Sequence, residues 1–228
     1  MPDIGSVLFQ ISIIALPVVI AITFHEAAHG WVARRLGDDT AYLQGRVTFN
    51  PLKHIDPVGT VLLPGLMFLT TGFLFGWAKP VPVDFRNLRD PRRDMVWVAL
   101  AGPGVNIALA LVSALLLHVV PLLPPYVGEW LGNNLQVSIL INVILAVFNM
   151  LPLPPLDGGR VAVGLLPDVL AFPLARLERY GILILLLALI LVPFASREFG
   201  YPVDPLRWII GPPVDYIIDL IARVTGLS

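Results

Sequence analysis

The chain has 228 residues, enough for one domain, and no polar linker divides it. Hydrophobic residues make up 57% and charged residues 14%, with mean hydropathy +0.81, against about 25% charged in an average soluble domain; a water-facing surface all round is excluded. A net charge of −1 with no Lys/Arg-rich run offers nucleic acid nothing to bind, and the absence of cysteine rules out disulfides and thiolate metal sites, leaving His and carboxylate as metal ligands.

A full membrane span needs roughly 20 apolar residues. Residues 7–32 qualify, interrupted by His25, Glu26 and His29 and followed by Arg34-Arg35. This run lacks the basic leader and small-residue cleavage site of a signal peptide and reads as a retained span. Residues 58–77 are apolar but carry Pro64, Gly65 and Gly72. Residues 95–120 contain Gly102-Pro103-Gly104 and Asn106, and 135–151 contain Asn142 and Asn149. Residues 180–194 are nearly all aliphatic, whereas 206–224 carry Arg207, Asp215, Asp219 and Arg223 and suit a poor span or an interfacial helix. Residues 42–50 and 79–85 read as short extended segments, the second limited to an edge by Pro80 and Pro82.

Basic residues set the orientation. Arg34, Arg35, Arg46 and Lys53 follow the first run, and Lys79, Arg86, Arg89, Arg92 and Arg93 precede the 95–120 run. Both loops belong on the cytoplasmic side, which requires 58–77 to enter and leave on one side. Pro64-Gly65 suits such a re-entrant turn if protein surrounds it. Asn149 and Asp157 then face the same side as His25 and His29.

The pattern His25-Glu26-Ala27-Ala28-His29 places two imidazoles on one helix face, with Cβ atoms about 5–6 Å apart. Both reach one zinc ion at about 2.0–2.1 Å. Glu26 then lies within reach of a metal-activated water as general base. A charge at the bilayer centre costs at least ~2.5–3.5 kcal/mol. Three ionisable groups in five residues of an apolar run therefore call for a bound cation or a cavity.

Zinc needs a third protein ligand. Asp157 follows a proline-rich break after Asn149 and precedes Gly158-Gly159, which permit close backbone approach. Its side chain suits either a ligand or an N-cap of the helix that follows. His54 and Asp56 are weaker candidates, best explained by a polar turn. Asp94, beside Arg92 and Arg93, resembles a solvated interface charge. Asp215 and Asp219 mark a polar helix face, and His118 is interfacial. Asn106 and Asn149 suit interhelical hydrogen bonding or donation to an oxyanion, and Asn142 suits only the former.

Three motifs together resemble the site-2 proteases, intramembrane zinc metalloproteases that cut membrane proteins within the bilayer. His25-Glu26-Ala-Ala-His29 is similar to their HExxH. Gly102-Pro-Gly-Val-Asn106 is similar to a G-x-x-x-N element, and Asn149-Met-Leu-Pro152-Leu-Pro-Pro-Leu-Asp157-Gly158 to N-x-x-P-x-x-x-x-D-G. The resemblance implies Zn²⁺ held by His25, His29 and Asp157, Glu26 as catalytic base and acid, and Asn149 stabilising the tetrahedral intermediate or positioning substrate. It implies a transmembrane protein or peptide substrate, and a small sheet from 42–50 and 79–85 dipping into the membrane. The chain lacks PDZ-like and CBS-like stretches and an apolar span before the HExxH helix, as a minimal member would.

The expected fold is an all-α polytopic membrane protein with about five or six apolar helical segments and a small β element between the first and third. One intramembrane protease domain covers 1–228. Its setting is a bacterial-type cytoplasmic membrane, with the site open to the cytoplasm and no nucleic-acid partner. Two other functions share part of the pattern. A transporter also has broken helices and buried charges, but no internal repeat is visible here. A non-catalytic scaffold would not need Glu26.

Overall fold

The computed structural model describes residues 4–63, 65–66, 76–198 and 205–227. Among these, the long helices are α1 (Ile4–Arg35), α3 (Pro91–Leu117), α4 (Pro125–Asn149) and α9 (Pro205–Thr225). Shorter ones are α2 (Thr40–Leu43), α5 (Asp157–Leu165), α6 (Asp168–Arg176), α7 (Glu178–Leu186) and α8 (Val192–Glu198). A π-helical stretch, Leu187–Leu191, joins α7 to α8.

Three stretches are long and apolar enough to cross a membrane: Leu8–Arg35, Pro91–Leu122 and Pro125–Asn149. Of the five or six apolar helical segments expected, these three are the ones long and apolar enough to span, among the described residues. The expected 180–194 run is helical but broken by the π-helical stretch. The expected 206–224 run is helical too, with Arg207, Asp215, Asp219 and Arg223 along it.

Helices α1, α3 and α4 each pack on the other two. Small residues allow the approach: Ala21, Ala33, Ala110 and Ala114 are fully buried. Ala110 and Ala114 of α3 join Val143 of α4 and Ile210, Val214 and Ile221 of α9 in one apolar cluster. Outward-facing Leu8, Ile11 and Ile14 on α1 and Val112, Leu115 and Leu116 on α3 stay exposed, as lipid contact requires.

Helix α3 begins at Asp90, which accepts from the Arg93 N–H, with Pro91 at the first helical position. Asp94 reaches back to accept from the Asp90 N–H at 3.0 Å. Asp94 is buried, so it is a helix-start bond rather than the solvated charge its neighbours suggest.

The expected β element is absent from the described residues. Residues 76–84 are extended without a ladder, and 42–50 form a helical turn and bends. Pro80 and Pro82 remove alternate donors. The remaining ones go elsewhere: Trp77 N–H to Gly59 O at 3.0 Å and Lys79 N–H to His54 O at 2.9 Å.

Much of the 58–77 excursion lies outside the described residues, at 64 and 67–75. Its two ends meet. Besides the Trp77–Gly59 bond, the Thr60 hydroxyl donates to Trp77 O at 2.9 Å. The chain thus leaves and returns at one place, as a re-entrant segment must.

Beyond α1, Gly37 takes φ +115 and turns the chain, and Asp38 then ties α1 to the 84–87 segment. Asp38 is fully buried and accepts from Thr40 N–H, Thr40 hydroxyl, Asn87 side-chain amide and Asp84 N–H, the last at 2.8 Å. Burial pushes this carboxyl up, but donors from Thr40, Asn87 and Asp84 outweigh it and hold it below the usual aspartate range. A lowered folded-state value means stability present at neutral pH and lost as pH falls toward that value. Asp38→Asn should lower stability by roughly 1–3 kcal/mol at pH 7. Thermal melts in detergent should show the gap to wild type narrowing in acid; a gap that widens would refute the assignment.

Candidate metal centre

Three side chains from two elements converge. His25 and His29 lie one turn apart on α1, with Nε2 atoms 3.0 Å apart. Asp157 opens α5 and brings Oδ2 to 3.3 Å from His25 Nε2 and 3.4 Å from His29 Nε2. All three are buried, at 7%, 9% and 5% exposure. The N-cap position of this helix is taken by Leu156, and Asp157 is its first helical residue. Of its two sequence readings, capping is not the one observed, although its charge still suits the helix N-terminus.

Close backbone packing places Asp157 there. A Cβ on Gly158 would lie 2.2 Å from Met150 O, and one on Gly159 2.2 Å from Pro154 N. The two glycines therefore let α5 press against the proline-rich loop after α4.

The outer imidazole nitrogens fix the tautomers. His29 Nδ1 is 2.7 Å from Val98 O, which can only accept, so Nδ1 carries the proton. His25 Nδ1 is 2.6 Å from Asn106 Oδ1. The Asn106 amide nitrogen donates to Ala21 O at 3.2 Å and Asn142 Oδ1 at 2.7 Å, which turns its oxygen toward His25. His25 Nδ1 therefore also carries the proton. In the neutral rings, both Nε2 lone pairs then face inward.

Two nitrogen lone pairs and a carboxylate oxygen thus meet with no donor between them. Asp157 Oδ2 is buried without a hydrogen-bond partner. Such a group of converging polar atoms suits a bound cation. A tetrahedral zinc with bonds of about 2.0–2.1 Å holds its ligand atoms roughly 3.3 Å apart, close to the 3.0–3.4 Å found. Two nitrogens and one oxygen leave a fourth position for water, so the donor set fits zinc.

Glu26, beside His25, is half-buried, and its Oε2 accepts from Val81 N–H at 2.7 Å. Asn149, the last residue of α4, donates from its amide to Leu145 O at 2.9 Å, within its own helix. Asn106 does bond between helices, but behind His25, where it orients the ring. His54 and Asp56 stay apart from the cluster. His54 Nε2 meets Thr48 O at 3.0 Å, and Asp56 accepts from Val58 and Gly59 N–H groups, as a polar turn predicts. His118 Nε2 meets Thr225 O at 2.7 Å and links the ends of α3 and α9.

Sequence reasoning missed three contributors. The Val98 carbonyl and Val81 N–H are backbone groups, which no residue type announces. Gly102 sits inside a motif, but only the structure shows why. A Cβ there would lie 2.4 Å from His29 Nε2 and 2.6 Å from His25 Nε2. Both rings are pinned at Nδ1 and cannot withdraw without losing those bonds. Gly102→Ala should therefore lower zinc affinity by about tenfold or more in folded protein, read by chelator competition. Wild-type affinity would show that the rings yield freely.

The sequence profile of peptidase family M50 matches residues 126–192. Relatives that carry the name "Putative zinc metalloprotease" include the following three. YwhC of Bacillus subtilis (strain 168) is 39% identical over 190 residues, 80% of this chain and 82% of that protein. Rip2 of Mycolicibacterium smegmatis (strain ATCC 700084 / mc(2)155) is 32% identical over 79% of this chain and 67% of its own. MJ0611 of Methanocaldococcus jannaschii is 32% identical over 70% and 73%. No solved structure matches the chain. With YwhC matched over most of both chains, this chain belongs to peptidase family M50, the site-2 protease family of zinc metalloproteases.

Proposed function

We propose that this protein is an intramembrane zinc endopeptidase that cuts the transmembrane segment of a membrane-protein substrate. The observation that carries the reading is the convergence of His25, His29 and Asp157 beside α1, a helix long and apolar enough to span a membrane. These three are the zinc ligands. When bound, zinc supplies Lewis acidity toward the scissile carbonyl and brings the pKa of water toward neutrality.

Glu26 is the general base and acid. It takes a proton from the attacking water and returns it to the leaving amine. Val81 N–H holds the carboxylate at 2.7 Å, on the side of the extended 76–84 segment. Asn149 exchanges its bond to Leu145 O for one to the developing oxyanion.

An unwound substrate strand lies along the 76–84 segment. The segment's Trp77, Lys79 and Val81 N–H groups are already engaged, and Pro80 and Pro82 have none. The Trp77, Lys79 and Pro80 carbonyls each accept one bond as well, so a substrate strand pairs with the groups that remain. The site opens to the cytoplasm of a bacterial-type cell. Arg34, Arg35, Arg92 and Arg93 all lie at the joined ends of α1 and α3, and the 58–77 excursion returns to its starting place.

The test is zinc content and cleavage of a tagged single-span substrate by purified protein in detergent. Wild type should hold about one zinc per chain and lose cleavage to a chelator. Glu26→Gln should keep its zinc and cleave roughly 10²-fold slower or worse. Metal-dependent cleavage by Glu26→Gln at the wild-type rate would refute the role of Glu26.

A further inference from the structure

Behind His25 a chain of hydrogen bonds runs through the apolar helices. His25 Nδ1 meets Asn106 Oδ1, and Asn106 Nδ2 donates to Asn142 Oδ1 at 2.7 Å. Asn142 Nδ2 donates to Ser138 O at 2.9 Å and lies 3.2 Å from Ser138 Oγ, which in turn meets Ser113 Oγ at 2.8 Å. Asn106 and Asn142 are both fully buried. Ser138 O, a backbone carbonyl, can only accept, so it fixes which end of the Asn142 amide faces Asn106.

We propose that Asn142 is a positioning residue of the zinc site, acting through Asn106 to keep the His25 Nε2 lone pair directed at the metal. The proposal rests on the zinc reading above. An amide can flip with little change in shape. A flipped Asn106 would present its NH₂ to His25 Nδ1. That ring nitrogen would then accept, and the ring proton would move to Nε2, the atom that faces His29 and Asp157. With Asn142 in place the flip sets the Asn106 oxygen against two further acceptors, Asn142 Oδ1 and Ala21 O. Buried acceptors facing each other without a proton are costly. Replacing Asn142 by an aliphatic residue removes one of the two and leaves an Asn106 N–H unpaired. The hydrogen bonds of Asn142 go to Asn106 and Ser138 and to none of the three ligands, so its route to the site is through Asn106.

The test is zinc affinity by chelator competition on folded, detergent-purified protein, with the visible spectrum of the cobalt-substituted form as a second readout. Asn142→Leu should bind zinc about 10–100-fold more weakly and alter the cobalt spectrum. Asn142→Asp keeps an oxygen facing Asn106 in either protonation state and should restore affinity. Ser113→Ala removes the hydroxyl bond to Ser138, two links beyond Asn142, and should leave affinity and spectrum unchanged. Because Asn142 acts through Asn106, adding Asn142→Leu to Asn106→Leu should weaken binding no further. Should Asn142→Leu fail to fold, Asn142→Ala carries the same comparison. Wild-type affinity in the aliphatic variant overturns the proposal, as does an equal loss in Ser113→Ala, which would mark a general packing effect. A wild-type protein that is folded and binds no zinc overturns the metal reading itself, a distinct failure.

Discussion

Two imidazole nitrogens and a carboxylate oxygen face one another across 3.0–3.4 Å in a buried place. With no proton among them they repel, and with a dication they bind. Metal affinity in such a site is folding free energy, since the ligands are apart in the unfolded chain. Here the ligand pair and the third ligand are 128 residues apart, from His29 to Asp157. A metal held there would join the first helix to the element that follows α4. Gly158 and Gly159 bring Asp157 to that position by admitting the 150–154 backbone. Gly181 on α7 holds the same loop from outside, since a Cβ there would lie 1.8 Å from Pro154 O.

Polar groups inside an apolar bundle need partners, and here each partner also orients another. Asn106 answers His25, Asn142 answers Asn106, and Ser138 answers Asn142. Helices α1, α3 and α4 must approach closely for these bonds to form, and fully buried alanines at 21, 110 and 114 let them. The polar chain and the small-residue packing support each other. Without the alanines the amides would not meet, and without the amides the interfaces would have little to hold them, since lipid competes well with aliphatic contacts.

What was legible followed from local periodicity. His25, Glu26 and His29 are close in sequence, so helical spacing alone put them on one face. Asp157 was different. Spacing left it between ligand and cap, and only motif resemblance favoured the ligand before its distances to the two histidines were seen. Which apolar segments are continuous spans was less legible, because hydropathy reads apolar length and not continuity. The 180–194 run is interrupted by the π-helical stretch, and the 205–225 helix carries charges along its length. The missing sheet has a similar cause. Residues 79–84 carry no helix, but Phe85 opens a short 3-10 turn, and pairing depends on where the donors go. Asp94 was misread because a cap is set by backbone direction, which the adjacent arginines do not reveal.

The placement of Glu26 shows why an extended segment without a sheet still has a defined register. Lys79 is held from both sides, its N–H by His54 O and its carbonyl by the buried Arg46 guanidinium at 2.8 Å. The next donor along the chain is Val81, because Pro80 and Pro82 on either side have no N–H. A slip of one residue in either direction would present a proline to Glu26 and leave its carboxylate without that partner. The alternation of prolines that rules out a regular strand thus selects the one register in which the segment can bind Glu26. Loss of the sheet and placement of the carboxylate are two consequences of the same sequence, Lys79-Pro80-Val81-Pro82.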